Sequence, residues 1–269
     1  MDDAKPNQPS GDYWGRAGLA EAILAALSAS GKDLDAPTID DLAPFDQFHA
    51  GGKPATERLA RLAELAPGTR VLDVGGGLGG PARTLARMFG CRVTVVDLTD
   101  SYVRAGELLT ARTGLDDRVT FHVGDALELP FENGAFDVAW MQNSGMNVAD
   151  KRRLYAGLHR VVRPGGRFAL QEPMAGPVQP ILYPVMWARD ASTSFLMAPA
   201  EARAHVEGAG FRVRAWDDIT AEFANAPPPG PHTLQTIVMG DALPAITEAL
   251  RRNGEEGRIV NVQAIFDRP

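Results

Sequence analysis

The chain has 269 residues, of which 45% are hydrophobic and 23% are charged, a composition typical of a globular protein with a substantial core. Its 34 acidic and 27 basic residues give a formal net charge of -7, and the basic residues are dispersed along the chain. This charge pattern disfavours nucleic acid and anionic membranes as partners. No apolar stretch approaches the ~20 residues that a membrane-spanning helix needs, and the single Cys91 excludes an internal disulfide. We therefore expect a cytoplasmic protein.

The N-terminal region is predicted to be helical. Residues 17–29 and 54–66 are rich in helix-forming residues and have leucine and isoleucine at helical spacing, which predicts two helices. The segment between them, 36–52, is interrupted by prolines and has no regular period. We expect residues 1–52 to form a helical cap on a larger domain at 53–269.

From residue 70 onward, short apolar runs rich in β-branched residues alternate with helical segments. The predicted strands cover 71–74, 92–96, 119–123, 136–141 and 167–171, and the predicted helices cover 80–89, 101–113 and 149–162. Strands separated by helices of this length form βαβ units. The fold class is therefore α/β, with a parallel sheet and helices on both faces.

The C-terminal third continues this pattern after an insertion. Residues 173–199 are rich in proline, methionine and aromatic residues, which predicts a lid-like insertion. Beyond it the sequence predicts a helix at 199–210, a strand at 211–219, a break at 226–231, a helix at 233–252 and a strand at 258–266.

A glycine-rich loop, Gly75-Gly76-Gly77-Leu78-Gly79-Gly80, follows the first strand and opens a helix. Glycines at such a junction let backbone amides approach a ligand closely, which indicates a nucleotide-type ligand. Asp97, at the end of the second strand, can accept hydrogen bonds from both hydroxyls of a ribose. The glycines alone also satisfy a dinucleotide fingerprint, so an NAD-dependent oxidoreductase stays open at this point.

Three further features favour a cationic ligand that carries an adenine. Asp73 lies two residues before Gly75, where its carboxylate would repel a pyrophosphate and attract a sulfonium or ammonium group. Asp125 and Ala126 follow the third strand and offer a carboxylate and a backbone amide to an adenine. A helix, a Pro-Gly-Gly turn and a strand then follow in the order expected for such a fold at 158–171.

These segments resemble the class I S-adenosylmethionine-dependent methyltransferases. VLDVGGGLGGPARTLA resembles the first motif of that family, VVDLT the second, DALELPFENGAFDVAW the third and RVVRPGGRFAL the later strand motif. The resemblance covers 70–172 continuously. It implies a Rossmann-like, mostly parallel seven-stranded sheet in which the C-terminal strand is antiparallel.

The resemblance also implies S-adenosylmethionine as the cofactor and no metal. The residues expected to bind this cofactor are Gln47, Asp73, Gly75, Gly77, Gly79, Asp97, Leu98, Asp125, Ala126 and Gln142. The segments DQFHAGGKPATERLA and WMQNSGMNVADKRRLY are similar to bacterial small-molecule enzymes related to sarcosine and dimethylglycine methyltransferases. This similarity implies methyl transfer to an O, N or C atom of a small-molecule acceptor, either a secondary metabolite or a small amine such as a glycine derivative.

The candidates for catalysis are His49 and Asn143. His49 is the leading candidate for a general base, because an imidazole titrates near neutral pH. Relatives often carry a histidine at the position of Asn143, and this departure leaves the base and the substrate class open. Asn143 and Asn147 are candidates for orienting the nucleophile.

The candidates for substrate binding are aromatic. Tyr183 and Trp187, in the insertion, would line an acceptor pocket and favour a cationic amine through cation–π contact. A contact in a homodimer or an ordinary satellite core is the alternative for this segment. Tyr13 and Trp14 would close the site from the N-terminal cap. A non-catalytic S-adenosylmethionine-binding scaffold is the remaining alternative function.

Overall fold

The alternating strands and helices form one seven-stranded sheet in the computed structural model, which describes residues 18–223 and 233–269. The strands are β1 Arg70–Val74, β2 Arg92–Asp97, β3 Val119–Val123, β4 Phe136–Gln142, β5 Val162–Ala175, β6 Arg212–Asp218 and β7 Ile259–Asp267. The α-helices of the described residues are α1 Leu19–Ala29, α2 Ile39–Asp46, α3 Gly52–Leu62, α4 Gly80–Phe89, α5 Asp100–Arg112, α6 Lys151–Val161, α7 Pro199–Gly208, α8 Thr220–Phe223, α9 Leu234–Met239 and α10 Leu243–Glu255.

The strand order is β3-β2-β1-β4-β5-β7-β6, with β1 to β5 parallel and β7 antiparallel to both of its neighbours. The prediction of a mostly parallel sheet with an antiparallel C-terminal strand is confirmed. The chain builds outward from β1 through β2 to β3 and then returns to β4 on the other side of β1. This reversal opens a crevice at the carboxyl ends of β1 and β4, where sheets of this type bind ligands.

Helices cover both faces of the sheet, as predicted. On one face, α6 and α7 pack against the strands through a cluster that includes Leu154, Leu158 and Val206. On the other face, α3 and α4 pack through a cluster that includes Leu59 and Leu85. Burial of apolar side chains on both faces explains why the strands read as continuous apolar runs.

The segment 36–52 contains a helix that the sequence analysis missed. Helix α2 begins with a capping box, in which Thr38 Oγ1 accepts from the backbone N–H of Asp41 at 3.1 Å and Asp41 Oδ2 accepts from the N–H of Thr38 at 3.0 Å. The helix continues through Pro44. The capping box satisfies the N-terminal amides, so one interior proline does not prevent this short helix.

The prediction of one continuous helix over 233–252 is wrong, because this segment forms two helices. Two helices, α9 and α10, are separated by a short 3-10 turn at Gly240–Ala242. Helix α9 packs against α1 and α2, and Leu234 joins the apolar cluster of this cap. The C-terminal part of the chain therefore contributes to the cap as well as to the sheet.

Strand β5 is longer than predicted. It extends to Ala175, so the first residues of the predicted insertion at 173–199 belong to the sheet. Within the two described ranges, no helix is both long enough and apolar enough to cross a membrane.

A fully buried ion pair fastens the cap to the sheet domain. Arg83 Nη2 donates to Asp46 Oδ2 at 2.8 Å, and Arg83 Nη1 donates to Thr110 Oγ1 at 2.8 Å and to the carbonyl of Gly106 at 3.2 Å. The side chains of Arg83 and Asp46 are 0% and 1% exposed. These contacts join α2, α4 and α5 directly behind the glycine loop.

Replacement of Arg83 by methionine tests this pair. The Arg83→Met variant leaves the Asp46 carboxylate buried without its cation, so we expect the free energy of unfolding to fall by about 3–5 kcal/mol. Arg251→Met is the control, because Arg251 is 52% exposed and pairs with Glu248 and Glu255 on the surface; its cost should not exceed about 1 kcal/mol. Urea unfolding measures both, and equal costs would contradict this role of the buried pair.

Candidate cofactor and acceptor site

An open cavity lies at the carboxyl ends of β1, β2 and β4, beneath the cap. Its empty volume is about 1150 Å³ when the space that opens to solvent is included. The predicted site residues that line it are His49, Asp73, Gly75, Gly77, Asp97, Leu98, Asp125, Ala126, Gln142, Asn143 and Asn147. The crevice expected from the strand order is therefore a real cavity, and most of the predicted site residues converge there.

The glycine loop forms the floor of the cavity. Gly75 and Gly77 have φ values of 72° and 54°, in the left-handed region that favours glycine. A Cβ on Gly75 would lie 2.3 Å from Ser144 Cβ, so the loop packs directly on the segment that follows β4. Gly79, in contrast, turns the chain into α4 and is not among the residues that line the cavity.

The carboxylate of Asp97 organises this loop. Its Oδ2 accepts from the backbone N–H of Gly77 at 2.9 Å, and its Oδ1 accepts from the N–H of Thr99 at 2.8 Å. Burial nevertheless raises the pKa of Asp97. A carboxylate held this way at the end of β2 suits the hydroxyls of a ribose.

Asp73 is the most unusual charged group of the site. Its side chain is 1% exposed, and Oδ2 has no hydrogen-bond partner among the described residues. Burial, and secondly the negative charge of Asp97, raise the pKa of Asp73 to about 8. A buried carboxyl without a partner is costly, so the cavity is built for a cationic or hydrogen-bond-donating ligand.

The opposite rim is formed by the residues after β2 and β3. Leu98 is 45% exposed and presents an apolar surface at the mouth of the cavity. Asp125 Oδ1 accepts from the N–H of Leu127 at 2.8 Å, which closes a local turn. Asp125 also lines the cavity. Its role in this turn is therefore compatible with the predicted contact to an adenine.

The segment after β4 lines the inner end of the cavity. Asn143 has a φ of 55°, a left-handed conformation that asparagine tolerates better than most residues. Its backbone N–H donates to the carbonyl of Gln171 at 2.8 Å. Asn147 donates through Nδ2 to the carbonyls of Trp187 and Thr193, both at 2.9 Å. Asn147 therefore fastens the insertion to the site.

His49 is half-buried, and polar side chains surround it. Nε2 lies 2.9 Å from Gln47 Oε1, and Nδ1 lies 3.2 Å from Gln142 Nε2. Burial lowers the pKa of His49 to about 4, so the imidazole is neutral near pH 7. Gln47 stands behind His49 and is not among the residues that line the cavity.

Sequence analysis missed two buried ionisable residues beneath the site, Glu172 and Lys151. Glu172 Oε1 accepts from the backbone N–H groups of Gly145 at 2.6 Å and Ser144 at 3.1 Å. Burial raises the pKa of Glu172 to about 7 and lowers the pKa of Lys151, whose Nζ donates to the carbonyl of Gly145, to about 8. Glu172 thus holds the turn after β4, and a glutamate within the apolar strand run was the signal available in the sequence.

The aromatic residues predicted to bind substrate lie elsewhere. Tyr183 and Trp187 pack in a satellite cluster with Val185 and Ile259 and do not line the cavity. Trp187 Nε1 donates to Ser194 Oγ at 2.9 Å within the same segment. Of the alternatives for this segment, the structure favours a satellite core. The predictions for Tyr13 and Trp14 lie outside the described residues.

Comparison with known proteins agrees with this geometry. Residues 71–166 match a family described as "Methyltransferase domain". This segment of the chain is therefore similar to methyltransferase domains. The matched region runs from β1 into β5 and contains the glycine loop and Asp97.

Curated relatives match about half of the chain or a little more. The glycine/sarcosine/dimethylglycine N-methyltransferase of Actinopolyspora halophila is 33% identical over 132 residues, which cover 49% of this chain and 23% of the relative. The methyltransferase GfsG of Streptomyces halstedii is 33% identical over 163 residues, which cover 60% of this chain and 56% of the relative. The aligned regions thus span from about a quarter to a little over half of these relatives.

Solved structures share the fold. Geranyl diphosphate C-methyltransferase from Streptomyces coelicolor A3(2), solved with Mg2+, geranyl-S-thiolodiphosphate and S-adenosyl-L-homocysteine, superposes with a TM-score of 0.73 at 20% identity and covers 100% of both chains. This likeness supports the Rossmann-like methyltransferase fold predicted from the motifs.

Alanine substitutions in the loop test the close approach of Gly75. The Gly75→Ala variant combines the strain of a positive φ with the clash against Ser144, so it should destabilise the protein by more than ~1 kcal/mol. Gly114→Ala is the matched control, because its φ of 63° is similar but a Cβ there meets nothing within 4 Å. Thermal unfolding compares the two, and an equal loss of stability would show that the contact with Ser144 is unimportant.

The pH dependence of stability tests the burial of Asp73. Because the folded state keeps a proton that the unfolded state releases, the free energy of unfolding of the ligand-free protein should fall as pH rises from about 4 to about 8. The Asp73→Asn variant lacks this titration and should lose less stability over the same range, by an amount on the order of 1 kcal/mol or more. Urea unfolding at several pH values measures it, and parallel curves for the two proteins would contradict the raised pKa.

Proposed function

We propose that this chain transfers a methyl group from S-adenosylmethionine to an O, N or C atom of a small-molecule acceptor. The observation that carries the proposal is the buried Oδ2 of Asp73, beside the glycine loop, which has no hydrogen-bond partner among the described residues. The described residues that line the cavity include the acidic residues Asp46, Asp73, Asp97 and Asp125 and no lysine or arginine. Such a lining favours a ligand that carries positive charge.

Each part of the cofactor has a matching group in the cavity. The ammonium of the methionine moiety would meet Asp73, and the ribose hydroxyls would meet Asp97. The adenine would lie between Leu98 and Ala126, with Asp125 near its amino group. S-adenosylmethionine supplies the electrophilic methyl group.

The protein's own contribution to the reaction is positioning. Asn143, Asn147 and His49 lie at the inner end of the cavity, where the acceptor would approach. The insertion is fastened to Asn147, and the cap lies over the cavity, so both would exclude water from the reacting atoms. Alignment of the acceptor with the methyl group and exclusion of water account for most of the rate enhancement that such a reaction needs.

The proposal favours an uncharged acceptor with apolar surface, in the class of bacterial secondary metabolites. Phe48, Met141 and Val148 provide apolar walls for it. Methylation of a small amine, such as a glycine derivative, is the second candidate, favoured by the same acidic lining. We further propose a cytoplasmic location. A homodimer through 173–199 stays a prediction.

Two other functions fit the geometry less well. An NAD-dependent oxidoreductase would place a pyrophosphate against the buried carboxyl group of Asp73 and the half-buried one of Asp97, which would repel it. A non-catalytic S-adenosylmethionine-binding scaffold would use the same glycine loop and Asp97 but would not need an open space for an acceptor beside them.

Calorimetric titration tests the cofactor assignment. We expect S-adenosylmethionine to bind, and the Asp97→Asn variant to bind it at least about tenfold more weakly, because a charge-assisted hydrogen bond is lost. Asp117→Asn is the control, since the side chain of Asp117 is 74% exposed, and it should bind like the parent protein. NADH binding without S-adenosylmethionine binding would instead support the oxidoreductase.

Transfer of a labelled methyl group tests catalysis. The protein is incubated with methyl-labelled S-adenosylmethionine and an extract of small metabolites, and labelled products are separated by chromatography. We expect label in a small organic molecule and S-adenosylhomocysteine as the co-product. Tight cofactor binding without label transfer to any acceptor would favour the scaffold.

A further inference from the structure

Three buried glutamines stand side by side across the sheet. Gln142 of β4 is paired in register with Gln171 of β5, which is paired with Gln263 of β7. Their side chains are 7%, 0% and 1% exposed. They lie on the face of the sheet that α3 covers, and Gln142 is the one of the three that lines the cavity. We call these three residues the glutamine ladder.

The outer end of the ladder is oriented by an arginine. Arg58 can only donate hydrogen bonds, and its Nη1 donates to Gln263 Oε1. The amide nitrogen of Gln263 must therefore point the other way, and it donates to the carbonyl of Ala55 at 2.9 Å and to Gln171 Oε1 at 2.7 Å. Because Gln171 Oε1 accepts, Gln171 Nε2 donates to the carbonyl of Ala50 at 2.8 Å.

The inner end is oriented by a tryptophan. The indole Nε1 of Trp140 can only donate, and it lies 3.2 Å from Gln142 Oε1. Gln142 Nε2 consequently donates to Gln171 Oε1 at 3.1 Å, and its remaining hydrogen points to His49 Nδ1 at 3.2 Å. Two donor-only groups at opposite ends thus fix the orientation of the three amides, and Gln142 and Gln263 both donate to Gln171 Oε1.

The other nitrogen of His49 faces acceptors. Nε2 lies 2.9 Å from Gln47 Oε1 and 3.2 Å from Thr56 Oγ1, whose hydroxyl donates to Gln142 Oε1 at 3.1 Å. The orientation of Gln47 is itself set by Thr84, whose hydroxyl donates to the carbonyl of Gly80 and therefore accepts from Gln47 Nε2. A proton on His49 Nε2 satisfies these contacts, and a proton on Nδ1 would face the amide N–H of Gln142.

One contact favours the opposite tautomer. His49 Nδ1 also lies 3.1 Å from the carbonyl oxygen of Ala50. That carbonyl already accepts from Gln171 Nε2, so it does not need a hydrogen from His49. The ladder therefore occupies one of the two acceptor positions of the competing carbonyl and also supplies the donor to Nδ1.

We propose that the glutamine ladder is a positioning device that holds His49 as the neutral Nε2–H tautomer, with its one lone pair already occupied. In this state His49 has no free site for a proton from the acceptor, so it orients groups in the cavity and is not a general base. Burial lowers the pKa of His49 to about 4, which agrees with a neutral ring. The consequence for catalysis rests on the proposed methyltransferase function, whereas the tautomer does not.

Nuclear magnetic resonance of the full chain with ¹⁵N-labelled histidine tests the proposal without any assay of methyl transfer. The His49→Asn variant assigns the ring signals of His49. We expect the pattern of the Nε2–H tautomer, unchanged from about pH 8 to about pH 6. A predominant Nδ1–H tautomer, or titration of His49 near its usual pKa, would overturn the proposal.

The Gln263→Leu variant tests the ladder at a distance, because Gln263 contacts neither His49 nor the cavity. Loss of its N–H frees the Gln171 amide to turn and the Ala50 carbonyl to accept from Nδ1–H. We expect the tautomer ratio to shift about fivefold toward Nδ1–H, the change that corresponds to one hydrogen bond. Gln179→Leu is the matched control, since the described hydrogen bonds of the Gln179 amide go to the backbone carbonyls of Gly176 and Arg258 and to no glutamine of the ladder.

An unchanged tautomer ratio in Gln263→Leu would overturn the role of the ladder. Binding of S-adenosylmethionine, followed by calorimetry on the same samples, separates the two proposals. The expected tautomer without cofactor binding would leave the positioning device standing and contradict the proposed function. Cofactor binding together with the Nδ1–H tautomer would support the proposed function and contradict the positioning device.

Discussion

The site depends on two carboxyl groups, the buried Asp73 and the half-buried Asp97, at the carboxyl ends of adjacent parallel strands. The burial of Asp73, and secondly the negative charge of Asp97, oppose ionisation of Asp73. The backbone N–H groups of Gly77 and Thr99 compensate Asp97, whereas Asp73 keeps an oxygen without a described partner. Burial of Asp73 therefore costs the free protein stability, and a cationic ligand would remove that cost.

The rest of the structure keeps this arrangement in place. The ion pair between Arg83 and Asp46 fixes the end of α2, and with it the segment that leads to His49, against the helix that the glycine loop opens. Glu172 fixes the turn after β4 from below. The cavity is therefore bounded by buried electrostatic contacts on two sides, which are costly to break.

The same face of the sheet carries charged groups at one end and neutral amides at the other. The carboxyl groups occupy β1 and β2, beneath the proposed cofactor, and the glutamine ladder occupies β4, β5 and β7, beneath the proposed acceptor. This separation suits a reaction in which the cofactor carries a positive charge on its sulfur and loses that charge when the methyl group is transferred. A neutral, fully hydrogen-bonded wall at the acceptor end adds no charge that would compete with the carboxyl groups for that cation.

Local patterns in the sequence predict the sheet, the glycine loop and the polar residues that follow the strands, because each depends on a few neighbouring residues. The α2 helix was missed because Pro44 outweighed the capping box in a segment without a clear period. The break at Gly240 was missed because the residues on both sides of it form helices. The glutamine ladder could not be assembled from the sequence, since only strand register brings Gln142, Gln171 and Gln263 together, although a glutamine inside each apolar strand marked a buried polar group.

The protonation of Asp73 could not be predicted from the sequence. A motif places Asp73 and Asp97 near the loop, but their protonation depends on burial and on their mutual distance, which only the packed fold determines. The placement of Tyr183 and Trp187 depends in the same way on how Asn147 fastens the insertion. Site residues that belong to one local motif could be predicted from the sequence. Protonation states and contacts that depend on the packing of distant segments could not.

Proton release on cofactor binding tests the central claim most directly. Calorimetry of S-adenosylmethionine binding near pH 7, repeated in buffers of different ionisation enthalpy, counts the protons exchanged. Because Asp73 has a pKa of about 8 in the free protein and would ionise opposite a cation, the account predicts net release of protons that is lost in the Asp73→Asn variant. Binding without proton release, or release that persists in the variant, would contradict it.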